Sequence, residues 1–195
     1  MKKRFFLLVV FIIIVLSVRL FAQNDSMHKI SAELLGGSSI ATIGVYEEDD
    51  MNIIGFTGAF RLMWEPENLL RLGIEGGFLH LAHSKEENIQ TEFGLTKRSN
   101  SLNAYPLMLH FNMKIWKLEL MLGLGAALIS SKINAFNDVS ESSVITSTKM
   151  YGLGYNLPLT DRFSIGCEFK YYSFSTPELT VATIQLKSKY SILIW

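Results

Sequence analysis

The residues best suited to bond-making chemistry stand together in one stretch: His80, His83, Ser84, Glu86 and Glu87. A hydroxyl nucleophile, an imidazole base and a carboxylate that orients it are the parts of acyl transfer or hydrolysis, provided nucleophile and base lie within hydrogen-bond reach. Their spacing matches no triad template, and adjacent His83 and Ser84 point to opposite faces of any strand. A second set, Glu33, Glu75, Glu119 and Glu168 with Arg61, Arg71, Lys114 and Lys170, sets acids against an equal number of bases but is scattered along the chain. Only a fold that gathers it gives it a role.

Other candidates carry less. Gly123 and Gly125 in GLGAA, like Gly152 and Gly154 in YGLGY, lack the lysine and following helix of a phosphate loop. The acidic run from Glu47 to Asp50 suits a divalent cation only if its oxygens converge. Cys167 is the single cysteine, so it forms no internal disulfide, and no Cys/His cluster surrounds it. Neither a metal nor a cofactor is expected.

The elements that would position these residues begin after a leader. MKKR is a basic n-region, Phe5 to Val18 is apolar apart from Ser17, and Leu20-Phe21-Ala22 ends on a small residue, so residues 1–22 read as a signal peptide cleaved after Ala22. The apolar core is too short for the roughly 20 residues of a spanning helix. Cleavage removes Lys2, Lys3, Arg4 and Arg19, leaving 14 basic against 18 acidic residues. A mildly acidic chain of this kind does not suit a nucleic-acid partner. Residues 23–195 fit one domain.

That domain shows alternation with period two in eight segments bounded by Gly, Pro, Asn, Asp and Ser: Lys29 to Gly37, Asn52 to Trp64, Leu69 to Ala82, Ala104 to Ile115, Leu118 to Ile129, Val144 to Leu157, Arg162 to Phe174 and Val181 to Ile194. In the second, Ile54, Phe56, Phe60, Leu62 and Trp64 oppose Gly55, Thr57, Ala59 and Arg61; in the fifth, Leu118, Leu120, Leu122 and Leu124 oppose Glu119, Met121, Gly123 and Gly125. Alternation alone does not say which face is inside. The less apolar face is rich in Gly, Ala and Ser, which suits the crowded interior of a small barrel better than a charged soluble surface. Short links at Glu65–Asn68, Trp116–Lys117 and Pro158–Asp161 alternate with long polar ones at Ser38–Asp50, His83–Asn103 and Lys132–Ser143, though Ser175–Thr180 is shorter. Short periplasmic turns and long external loops give this pattern. Trp64, Trp116, Tyr155 and Trp195 then fall at the periplasmic ends of the descending strands, as an interfacial aromatic girdle would.

The leader, the eight alternating strands, the AYPLMLHFNM segment and the terminal aromatic together resemble small outer-membrane β-barrel proteins of the PorT-like and OmpA/OmpX-like kind. The resemblance implies an all-β, eight-stranded antiparallel up-and-down barrel in the outer membrane with both termini periplasmic. It implies lipid and lipopolysaccharide as surroundings, recognition of the C-terminal strand by the barrel-assembly machinery, and a monomer. The tail KYSILIW fits in part: counting back from Trp195 gives Leu193, Ser191 and Lys189, whereas the apolar set is Ile194, Ile192, Tyr190 and Leu186. A bulge, or departure of the last residue from strand phase, would reconcile them.

In such a barrel the eight scattered charges share the lumen and are expected to pair across strands, because an unpaired buried charge costs several kcal/mol. A structural lattice is the expected role and a narrow gated ion path the alternative. The rim His/Ser/acid residues raise a lipid A-modifying enzyme as a rival, since some small outer-membrane barrels do that chemistry. A wide diffusion pore belongs to barrels of about 16 strands. The expected function is non-enzymatic: structural, surface-interacting or export-accessory.

Overall fold

A computed structural model describes residues 28–43, 52–66, 69–91, 94–135, 138–175 and 179–195. The leader and the acidic run from Glu47 to Asp50 lie outside the described residues. The strands are β1 (Lys29–Ile43), β2 (Ile54–Glu65), β3 (Leu70–Thr91), β4 (Gly94–Ile115), β5 (Leu118–Ala135), β6 (Asp138–Pro158), β7 (Phe163–Phe174) and β8 (Leu179–Ile194). Each pairs antiparallel with its neighbour in sequence, and β1 pairs with β8, closing the barrel. Closure leaves no strand edge around the wall, the condition for β-structure inside lipid, where no water satisfies a free N–H or C=O.

Alternation puts the large apolar residues outside. Phe56, Phe60, Leu62 and Trp64 of β2, Leu107, Leu109 and Phe111 of β4, and Leu118, Leu120, Leu122 and Leu124 of β5 are all exposed, while Arg61, His110, Asn112 and Glu119 beside them are buried. Water would leave this belt unpaired with anything, so it is a lipid-facing surface. Among the described residues no helix is long and apolar enough to cross a membrane; this chain crosses with strands.

At one end the turns are tight. Trp116 and Lys117 form a two-residue hairpin between Ile115 and Leu118, with Trp116 in the left-handed region at φ 60° as such hairpins require. At the turn after β6, Leu159 and Thr160 donate to the Phe163 carbonyl at 3.0 Å. At the opposite end the strands outrun the expectation. The polar stretches His83–Asn103 and Lys132–Ser143 are not loops: β3 runs to Thr91, β4 begins at Gly94, β5 reaches Ala135 and β6 begins at Asp138. Pairs such as Glu86↔Arg98 and Lys132↔Glu141 continue the ladder. Beyond the membrane both faces of a hairpin are wet, so alternation disappears from the sequence while backbone pairing continues.

The C-terminal phase is resolved by a bulge. The β1–β8 register shifts between Ile30 and Ser31, so that Ile30 faces Leu193 and Ser31 faces Ser191. Ile192 is the extra residue. Leu193 and Trp195 are returned to the exposed face with it, and Trp195 exchanges two 3.0 Å backbone hydrogen bonds with His28.

Candidate functional site

The inward-facing residues of β1, β2, β3, β5, β7 and β8 meet in one buried ion lattice. Arg61 of β2 is its centre: Nη1 lies 2.8 Å from Glu33, and Nη2 lies 2.6 Å from Glu75 and 2.8 Å from Glu168. Arg71 of β3 bridges Glu33, Glu119 at 3.0 Å and Glu65 at 3.2 Å. Lys170 joins Glu75 at 2.8 Å and Glu168 at 3.4 Å. Lys187 joins Glu119 at 2.6 Å and Glu168 at 3.0 Å, and Lys189 closes on Glu65 at 2.5 Å. The carboxylates of Glu33, Glu65, Glu75, Glu119 and Glu168 are thus matched one for one by Arg61, Arg71, Lys170, Lys187 and Lys189. The forked guanidinium of Arg61 is what allows one side chain to serve three acids.

Of the charges singled out in the sequence, Glu33, Arg61, Arg71, Glu75, Glu119, Glu168 and Lys170 are brought together, each at most 1% exposed. Lys114 is a correction. It is half-buried in β4 beside the Trp116–Lys117 turn and makes no ion pair with the lattice among the described residues, because its place, opposite Glu119 at the end of the ladder, leaves its stem free to reach water. The sequence reading also missed Glu65, Lys187 and Lys189. Glu65 continues the phase of Arg61 and Met63, and Lys187 and Lys189 share a phase with Gln185 and Ser191. The bulge at Ile192 blurred that phase when it was counted from the terminus.

Other polar side chains adjoin the lattice. Tyr172 donates its hydroxyl to Glu75 at 3.1 Å, Ser31 donates to Glu65 at 2.9 Å, and Nε2 of His110 lies 3.2 Å from Glu75. β6 contributes absence of bulk: a Cβ at Gly152 would stand 3.3 Å from Lys170 Cγ, and one at Gly154 would stand 3.4 Å from Glu168 Cγ. The glycines of YGLGY make room for lattice side chains.

Toward the long-hairpin end the lumen changes character. Leu79, Leu81, Met108, Ile129, Met150, Phe174, Leu179 and Val181 form a buried apolar layer across it, with the ring of Tyr172 at its lower surface. A hydrated ion crossing the barrel would have to pass the buried ion lattice and then this apolar layer. The fixed charges of the lattice are held by their ion pairs, and the apolar layer above it offers an ion no polar partner.

Among the described residues, the rim histidines and Ser84 are not joined as nucleophile and base. His80 Nδ1 lies 2.7 Å from Asn103 Oδ1, and its ring stacks on Phe56 with centroids 5.7 Å apart. The His83 ring is 6.3 Å from that of His80. Ser84 is buried and faces Asn100 in the ladder, with no hydrogen bond to either histidine among the described residues. The side chains of Glu86 and Glu87 lie outside the described residues. No group of three or more metal-ligating side chains occurs among the described residues.

Trp64, Trp116, Tyr155 and Trp195 are all exposed, at 46%, 79%, 39% and 59%, at the end of the barrel that carries the tight turns. Lys117 Nζ lies 5.1 Å from the Trp116 ring centroid. Cys167, also exposed, points outward from β7.

No family model and no curated protein matches the chain. Solved structures do. A major outer membrane protein of Thermus thermophilus is similar over 85% of this chain and 99% of its own, with a TM-score of 0.58 at 13% identity. The attachment invasion locus protein Ail of Yersinia pestis is similar over 86% of this chain and 99% of its own, with a TM-score of 0.53 at 19% identity. Ail in complex with the heparin analogue sucrose octasulfate gives 0.52 at 18% identity, over 85% and 98%. The chain has the fold of these small outer-membrane barrels, the architecture that its sequence resembles.

Proposed function

We propose that this chain is a non-enzymatic barrel of the bacterial outer membrane, in which residues 23–195 anchor, and the β3–β4 and β5–β6 hairpins carry a surface-interaction or export-accessory role. The closed, charge-balanced lumen carries this reading. A barrel whose interior is occupied by its own ion pairs and sealed by an apolar layer transports nothing, and what it offers its surroundings is its outer surface. Trp64, Trp116, Tyr155 and Trp195 serve in this reading as the periplasmic interfacial girdle, and the lattice serves stability. The rim geometry supports the non-enzymatic half, since Ser84 and the histidines lack the nucleophile–base contact that acyl transfer requires. The Ail complex with a sulfated sugar analogue is a precedent for polysaccharide contact by a barrel of this fold.

The test compares a deletion strain, the wild type and a strain whose barrel lacks both hairpin tips. Lipid A mass spectra should be identical in all three, while surface adhesion or secreted-protein profiles should change in the deletion and the tipless strain alike. An acyl-chain difference that His83→Ala abolishes would overturn the reading.

A further inference from the structure

Among the described residues, a charged residue of the barrel wall faces outward without a partner. Lys149 of β6 is exposed and forms no ion pair with any described residue. Its cross-strand neighbour on β5 is Leu124, 56% exposed, and the outward residue two places below it is Tyr151, 53% exposed. Four places above stands Ile145, 75% exposed. Apolar belt thus lies on both sides of it along its own strand. A lysine on the lipid face costs ~2–4 kcal/mol at mid-membrane and ~0–1 near the interface. An intramembrane cation of this kind calls for a named partner.

The surroundings indicate which. Moving across the wall from β6 to β1, the ladder pairs Lys149 with Ser173, Ser173 with Thr180, and Thr180 with Thr42. These four residues, with Ser175 and with Phe174 and Leu179 at the ends of β7 and β8, line a depression of about 530 Å³. Ser175 Oγ in turn lies 2.8 Å from Ser147 Oγ. Three strand spacings of about 4.8 Å make the row roughly 14 Å wide. It combines a flexible point cation with a line of hydroxyls on the outward phase of their strands, Ser173 and Thr180 half-buried, on the long-hairpin side of Tyr151 and Tyr171. No acid stands among the described residues that line it.

We propose that this row is a binding site for the phosphorylated sugar headgroup of an outer-leaflet glycolipid of the lipid A class. Lys149 rises along the wall to a phosphate, and Ser173, Thr180 and Thr42 donate to phosphate and sugar oxygens. A phosphate monoester supplies the anion that Lys149 lacks, with charge-assisted hydrogen bonds in a medium of low dielectric. The width of the row suits a sugar headgroup better than one phosphodiester. The proposal rests on the proposed orientation of the barrel, with the long hairpins outside.

The test uses the mature chain refolded into phosphatidylcholine nanodiscs doped with bis-phosphorylated lipid A, dephosphorylated lipid A or phosphatidylglycerol, with retained lipid counted by native mass spectrometry. Wild type and Lys149→Arg should retain the bis-phosphorylated lipid at least about tenfold over the dephosphorylated one, as one charge-assisted contact gives. Lys149→Met should bring the two within about twofold, and Thr180→Val should fall between. Equal retention of dephosphorylated lipid A, or full retention by Lys149→Met, overturns the site. Retention of phosphatidylglycerol equal to that of lipid A overturns the glycolipid assignment. Heat-modifiability on a gel, read on the same samples, reports separately on the barrel: its loss in the wild type would contradict the fold and not the site.

Discussion

Replacing Glu75 by Leu removes the acid with the most partners in the lumen. Arg61 loses contacts at 2.6 and 2.8 Å, Lys170 loses contacts at 2.8 and 3.1 Å, and the Tyr172 hydroxyl loses its acceptor at 3.1 Å. Arg61 keeps Glu33 and Glu168, and Lys170 keeps Glu168 at 3.4 Å, so the cations are not orphaned. The lattice nevertheless carries one uncompensated positive charge in a closed space. Breaking a buried pair by removing one partner costs about 3–5 kcal/mol. The remaining acids on Arg61 and Lys170 hold the cost to the lower end of that range, and the apolar layer from Leu79 to Val181 keeps out the water that would reduce it further. About 3 kcal/mol is therefore expected, a factor above 100 in the unfolding equilibrium. The exposed pair Lys132–Glu141, at 3.9 Å with side chains 45% and 64% exposed, provides the contrast: Glu141→Gln should cost less than about 1 kcal/mol. Urea unfolding in vesicles, followed by tryptophan fluorescence and band shift on unheated gels, measures both. The double variant Glu75→Leu/Lys170→Met restores neutrality and should recover at least about 1 kcal/mol of the loss, as coupled neighbours do. Equal costs for Glu75→Leu and Glu141→Gln, or strict additivity of the double variant, would refute the lattice.

The glycines divide by face. Gly123→Val should lose about 1–3 kcal/mol by overpacking, since a Cβ there would stand 2.9 Å from Met108 Cε and 3.1 Å from Met150 Cε, whereas Gly36→Ala should be neutral because nothing lies within 4 Å of its Cβ; the same urea titrations check both. In planar bilayers the wild type should show no steady conductance, and Met108→Ala combined with Met150→Ala should admit brief openings, because those side chains belong to the apolar layer that seals the lumen.

Most of the wall was legible in the sequence because lipid on one side and a packed lumen on the other impose opposite chemistry on successive residues. Leu118 to Leu124 and Phe56 to Trp64 needed only their alternation. What was lost follows from where that contrast fails. Toward the long-hairpin end, β3 runs on to Thr91 and β4 begins at Gly94 through residues whose sequence shows no alternation, so strand and loop read alike. At the C-terminus the extra residue Ile192 exchanged the two phases and concealed Lys187 and Lys189. The lattice was legible as a set of charges sharing a face, but its connectivity was not. That one arginine would serve three acids from three other strands depends on the curvature of the closed wall, which no local pattern records. Lys149 escaped notice for the opposite reason: it lies on the outward phase, where a single charge among leucines reads as noise until its hydroxyl neighbours on β7, β8 and β1 are beside it.

The single cysteine offers the most direct test of a membrane-embedded wall without any substitution. Cys167 is exposed on the outward phase of β7 between Ile165 and Phe169, which are also exposed. A nitroxide attached to it in the barrel reconstituted in vesicles should relax strongly with molecular oxygen and weakly with a water-soluble nickel chelate, the signature of lipid. Strong relaxation by the nickel chelate and weak relaxation by oxygen would place that face in water and contradict the account.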